Sequence, residues 1–173
     1  SYALAAACAG EIFYDDSGDM TGIRETLRTG MPEDVRVKKI AGHAVLMAQS
    51  GQYNVSRCRR HGEEGAARLA CCEFVNHTLA MLFLLNERHM PFYKWAFRAA
   101  KELPKLSKLI PTLEALLREP DEDTIERVSA AVIEELRAQG LTDGGWDFLE
   151  PHAYAVMRRI RNPEIAALHI MEV

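Results

Sequence analysis

The sequence predicts an all-α fold, a multi-helix bundle around one long buried central helix, with a single short strand near its N-terminus. Three observations carry this reading. Apolar residues recur at helical spacing in segment after segment, each bounded by Gly or Pro. Residues 63–87 are apolar nearly all round, as a buried helix must be. Only Glu11–Tyr14 combines β-branched and aromatic residues in strand fashion.

Tyr2–Ala9 is short, Ala-rich and helical, and the strand Glu11–Tyr14 runs into the turn cluster DDSGD. A single strand cannot satisfy its own ladder and needs a partner. The chain opens SYALAAACAG, with no initiator Met, and reads as one entered in mid-domain. Met20–Thr29 is a helix closed by Gly30, and Pro32–Ser50 places Val37, Ile40, Ala41, Ala44, Met47 and Ala48 on one face. GQYN reads as a break before a short helix over Val55–Arg60. The long helix Glu63–Glu87 would span ~37 Å. Beyond it come Phe92–Leu103 between Pro91 and Pro104, a helix opened by Pro111, and PDEDTIERVSAAVIEELRAQG. The last of these has acids in its first turn, one apolar face (Ile125, Val128, Val132, Leu136) and Gly140 past its end. Trp146–Arg161 and Glu164–Met171, parted by Asn162-Pro163, are the last two.

The 173 residues suffice for one domain with a real core. With 21 basic against 25 acidic residues the net charge is −4, which argues against a dedicated nucleic-acid binder. No run has the length of a membrane span and no signal peptide opens the chain. Cys8, Cys58, Cys71 and Cys72 read as reduced thiols packed as small hydrophobes, which places the chain in the cytoplasm. A zinc set of Cys58, His61, Cys71 and Cys72 is the weaker alternative, and no metal ligands are assigned. Asp15, Asp16 and Asp19 have the spacing of a turn, not of a calcium loop. P-loop, GxGxxG, HExxH and GxSxG motifs are absent, as is the Gly-Ser and Asp-x-Asp combination that holds two metal ions on a triphosphate.

Two constellations remain. In LNERHMPFYKWAFRAA, an apolar stripe of Phe92, Trp95, Ala96, Ala99 and Leu103 opposes Lys94, Arg98 and Lys101, with Arg88 just before. Phe92 and Trp95 would anchor the helix in the core and hold the cations on a rigid platform facing an anion. A solvated charged face is the competing reading. In the long helix, Glu73, Asn76 and His77 form a polar stripe at i, i+3 and i+4. Buried polar groups must be paired, so the stripe either lines a substrate pocket or ties helices together.

Arg161-Asn162 followed by His169 is compared with ribonucleases of the HEPN type, but the seven-residue gap exceeds that family's spacing and Pro163 interrupts it. A longer similarity lies elsewhere. Asn86-x-Arg88-x-x-Pro91-x-Tyr93-Lys94-Trp95 and Gln49-Ser50-Gly51-Gln52-Tyr53-Asn54 stand with GEIFYDDSGDMTGIRETL upstream and FLEPHAYAVMRRIRNPEIAALHIM at the end. Together they resemble the family catalogued as domain of unknown function 4037, along essentially the whole chain. Members look like bacterial nucleotidyltransferases, with an N-terminal catalytic domain carrying Gly-Ser and Asp-x-Asp and a helical domain after it.

The resemblance implies that residues 1–18 are the end of the catalytic domain, GEIFYDD being similar to its last strand, and that 19–173 are the helical domain. It implies a substrate-recognition role for Arg88, Tyr93, Lys94, Arg98, Glu73, Asn76 and His77, on one wall of the cleft and without catalysis by this chain. Nucleoside triphosphate and magnesium are implied for the full-length parent and no cofactor for this chain. The implied partners are the upstream domain and a small-molecule substrate, with neither a membrane nor nucleic acid. A homodimer is left open. A stand-alone interaction module of the antitoxin type is the alternative function, and a HEPN-like ribonuclease using Arg161 and His169 the third.

Overall fold

The computed structural model describes residues 2–172, and their regular structure is entirely helical. The helices are α1 (Tyr2–Ala7), α2 (Asp19–Thr29), α3 (Glu33–Met47), α4 (Ser56–Arg60), α5 (Glu64–Leu85), α6 (Tyr93–Ala100), α7 (Ile110–Arg118), α8 (Glu122–Ala138), α9 (Leu149–Met157) and α10 (Pro163–Ala166). A π-helix, Ala48–Val55, joins α3 directly to α4, and a 3-10 turn, Ser107–Leu109, leads into α7. α3 packs chiefly against α9 and α5, the π-helix against α5 and α8, and α7 against α5.

The expected strand does not form. Glu11–Tyr14 is irregular, and Phe13 is 93% exposed. The physical reason is that no second strand exists among the described residues to pair with it. The Arg24 guanidinium donates to the carbonyls of Cys8 and Gly10, and Arg28 Nη2 donates to Cys8 O at 3.1 Å. These bonds tie the chain just before Glu11 to α2 and leave the backbone of Glu11–Tyr14 without a partner among the described residues. DDSGD is a turn, as its composition predicts. Gly18 takes φ 75° there, a conformation glycine adopts without strain. The Asp15 carboxylate accepts from Met20 N and Thr21 N at the start of α2. Those bonds, the Thr21 hydroxyl first, hold Asp15 below the usual carboxylate range.

The GQYN break is also corrected: the backbone continues through it as the π-helix. Its wider turn brings the backbone of Gly51 against the Phe74 ring of α5. Gln52 leaves the same turn sideways. Its amide donates to Glu126 at 2.6 Å, and its carbonyl oxygen accepts from Leu149 N at 2.9 Å, tying α8 to the start of α9.

α5 is buried unevenly. Its first half exposes Leu69 and Cys72, whereas Thr78–Leu85 is buried on every side. Phe74, Met81, Leu82 and Leu85 are fully buried, each contributing about 1.5–3 kcal/mol by removal from water. By length and composition α5 reaches the standard of a membrane span, contrary to the sequence expectation. Of that apolar window, 56% is buried inside the protein. α8 follows its expected outline, with Asp121 capping Thr124 N at 2.8 Å. The two C-terminal helices are shorter than expected, and Asn162 caps the last of them at Glu164 N and Ile165 N.

Candidate ligand cleft

The chain leaves α5 through a turn fixed by Asn86. Its amide donates to Leu82 O at 2.7 Å and Lys105 O at 3.1 Å, and its oxygen accepts from Lys105 N at 2.9 Å. Glu87 then adopts φ 56°, the left-handed region, and Arg88 N closes back on Phe83 O. This turn sends residues 88–93 across the end of α5 and sets Arg88 and His89 beside it. His89 Nε2–H donates to Leu27 O of α2 at 3.2 Å.

Between this segment, α3, α5 and α1 lies a half-open cleft of about 560 Å³. α3 contributes Lys39 and His43, α5 contributes Asn76 and His77, the connecting segment contributes Arg88 and His89, and α6 contributes its first residue, Tyr93. Met31, Val35, Ala80, Leu84, Met90 and Phe92 form apolar walls, with Tyr2 and Leu4 of α1 at one side. A second cleft of about 540 Å³ shares Phe83, Arg88, His89 and Pro91 with the first and adds Arg28. No Asp or Glu lines either one.

At the floor, His43 Nδ1 and His77 Nδ1 are 3.1 Å apart. Two imidazoles share that contact with one donating and the other accepting, which leaves at most one ring charged, and both are held toward the neutral form. Burial is the main reason: it lowers His43 to about 3, helped by the neighbouring His77 and by Lys39. His77 is lowered by burial too, against the pull of Glu73. Burial also lowers His89, and its bond to Leu27 opposes that. Among the described residues, neither Lys39 nor Arg88 makes a salt bridge or a side-chain hydrogen bond.

The seven sequence-predicted residues divide. Arg88, Tyr93, Asn76 and His77 meet in the cleft, whereas Glu73, Lys94 and Arg98 do not line it. Glu73 and Lys94 are exposed, and Arg98 stacks its guanidinium 5.3 Å from the Trp95 ring in a neighbouring groove. Lys101 is engaged with Glu114 at 3.1 Å. The expected anchoring role of Trp95 and Phe92 is overturned: they are 55% and 44% exposed. Ala96, Ala100 and Leu103 hold α6 down instead. The platform is therefore set by small residues, which let α6 approach closely and leave its large aromatics outside.

Lys39, His43 and His89 are cleft residues that sequence reasoning missed. The available signal was one imidazole next to an apolar run in each of two helices, His43 in IAGHAVLM of α3 and His77 before TLAMLFLL of α5. Cys71 is buried and donates to Leu116 O at 3.5 Å, its thiol pushed up to about 11 chiefly by burial. Among the described residues no group of three or more His, Cys, Asp or Glu is placed to hold a metal ion. Arg161 and His169 are both exposed, and no hydrogen bond joins them among the described residues.

The model of the family described as domain of unknown function (DUF4037) matches residues 1–96. The chain belongs to the DUF4037 family. The match is narrower than the whole-chain resemblance of the sequence, and the C-terminal FLEPHAYAVMRRIRNPEIAALHIM lies outside it. It contains the QSGQYN π-helix, the Asn86 turn and every residue lining the 560 Å³ cleft. No curated protein and no solved structure matches the chain.

Proposed function

We propose that this DUF4037 chain is the helical, substrate-recognition domain of a nucleotidyltransferase-type protein, forming one wall of its active-site cleft without catalysing transfer alone. The observation that carries this reading is the cleft of Lys39, Arg88, Asn76, His77 and Tyr93, built wholly within the family-matched stretch. Cations beside aromatic and apolar walls suit a nucleotide or an anionic acceptor. No carboxylate lines the cleft, so its donor set suits phosphate oxygens and not magnesium. The metal of such a reaction belongs with a catalytic domain, where it would activate the triphosphate. In this reading residues 1–18 close that catalytic domain and 19–173 form the helical one. Tyr2, Phe13, Tyr14, Met20 and Ile23, all more than half exposed, are the surface it would cover.

That same apolar surface favours a second reading, an interaction module whose partner is a separate protein. One experiment separates them. The protein as its source cell makes it is assayed for transfer from a nucleoside triphosphate with magnesium, and Arg88→Ala is compared with it. Transfer that weakens about 10- to 100-fold in kcat/KM, the worth of one charged hydrogen bond, supports recognition by this chain. Absence of transfer activity, or an unchanged kcat/KM in the variant, overturns it.

A further inference from the structure

Lys39 and Arg88 face one cleft from different elements, and in a chain with 25 acidic residues not one carboxylate lines it. Two cations without counter-charge, beside apolar walls, leave the site electrostatically incomplete. We propose that the cleft binds a small organic anion with an apolar body, its carboxylate or phosphate end set among Lys39, Arg88 and the His43–His77 pair, and that binding brings a proton onto that pair. The proposal deepens the recognition reading, and rests on it for the use of the ligand but not for the binding itself.

The division of the walls gives the ligand its two ends. Met31, Val35, Leu84 and Phe92 offer nothing to a polar group and match an aliphatic or aromatic body. The charged end belongs with the cations and imidazoles of α3, α5 and the 88–93 segment. The proton follows from the groups that face the pair. Lys39 on α3, and Arg88 and His89 on the connecting segment, share its cleft, and only Glu73, outside the lining, pulls the other way. An anion placed among these groups supplies the missing negative charge and favours the imidazolium. A proton taken at the Nε2 of the ring that donates through Nδ1 leaves the Nδ1–H···Nδ1 bond in place and adds an N–H for the ligand. The proton comes from solvent, and affinity therefore rises as pH falls, by up to about tenfold per pH unit for one proton.

The test is isothermal titration of the 173-residue chain with 2-naphthoate, 2-naphthyl phosphate and the neutral 2-naphthamide, from pH 5.5 to 7.5, in two buffers of different ionisation enthalpy. The expected result is at least tenfold preference for an anion over the amide, with net proton uptake. Lys39→Gln, at a partly exposed position, brings the anion down to the affinity of the amide. His43→Gln and His77→Gln remove the pH dependence. Carboxylate against phosphate identifies the charged end. Equal affinity for anion and amide, no binding of either, or proton uptake that survives both His variants overturns the proposal. A protein that transfers no nucleotide would sink the recognition role and leave this binding intact. A cleft that takes the amide as readily would do the reverse.

Discussion

His43 of α3 and His77 of α5 face each other Nδ1 to Nδ1 at 3.1 Å, with ring centroids 5.3 Å apart. The contact joins two principal packing partners through a single shared proton. It also sets their chemistry, since each added positive charge would stand against the other ring and against Lys39.

Stability should therefore depend on pH through this pair. Both rings titrate lower in the folded chain than at the ordinary 6.5, His43 at about 3. The unfolded state then binds more protons below pH 6.5, and folding stability is lost as pH falls from there. The slope contributed is at most about 1.4 kcal/mol per pH unit for each ring. Asp15, Asp121 and Glu33, also lowered, add their losses nearer pH 4. Guanidinium unfolding between pH 5 and 7 should show the slope in the wild type, flattened in His43→Gln/His77→Gln. Parallel curves for the two proteins would assign it to other groups.

Gly51→Ala should destabilise, although Ala is the better helix former by about 1 kcal/mol. An added Cβ would lie 2.3 Å from the Phe74 ring, which is fully buried and cannot yield freely. Overpacking of this kind costs about 1–3 kcal/mol, so the clash outweighs propensity. Phe74→Leu in the same chain should show positive coupling, the double variant losing less than the sum of the singles in urea unfolding. Strict additivity would place the cost elsewhere.

The same pair explains what the sequence could and could not show. α8 was legible throughout because its signals are local: the Asp121 cap, first-turn acids and a regular apolar face. QSGQYN misled because Gly and Asn weaken helical patterning, while the π-turn they occupy is stabilised by Phe74, over twenty positions away. Glu11–Tyr14 has strand composition, but a strand needs a partner and the described residues supply none, which local composition cannot express. In the cleft, Arg88 and Tyr93 could be named from one dense segment. Lys39 and His43 needed the adjacency of α3 to α5, which no single segment encodes.

Trp95 and Leu103 offer a direct check on how α6 is held. Leu103 is 3% exposed, and truncation to Ala should cost about 2–5 kcal/mol. Trp95→Ala should cost less than about 1 kcal/mol, mainly the stacking of Arg98 on the ring. Thermal melts of the two variants, followed by circular dichroism, give the ordering directly. A Trp95 variant as unstable as the Leu103 one would restore the aromatic as the anchor.

Arg36 makes the most connected polar contacts in the core, and its loss should be the costliest of these changes to a charged residue. It is buried, and its Nε and Nη2 each donate to Glu33 at 2.8 Å. Its Nη1 donates to Oε1 of Gln139, the residue just past α8, at 3.1 Å and reaches Leu84 O at 3.4 Å, while Gln139 Nε2 donates to Leu85 O at 2.8 Å. Side chains from α3 and from the residue after α8 thus meet the last carbonyls of α5, Leu85 O and Leu84 O, the latter also bonded by Glu87 N. Arg36→Met keeps most of the volume but strands the Gln139 oxygen, and should cost about 2–4 kcal/mol. Glu33 is largely exposed, so Glu33→Gln should cost about 1 kcal/mol or less. Gln139→Ala made in the Arg36→Met background should add little, because the group left unpaired is removed with it. Full additivity of Arg36→Met and Gln139→Ala in denaturant would mean that the two side chains cap α5 independently, not as one network.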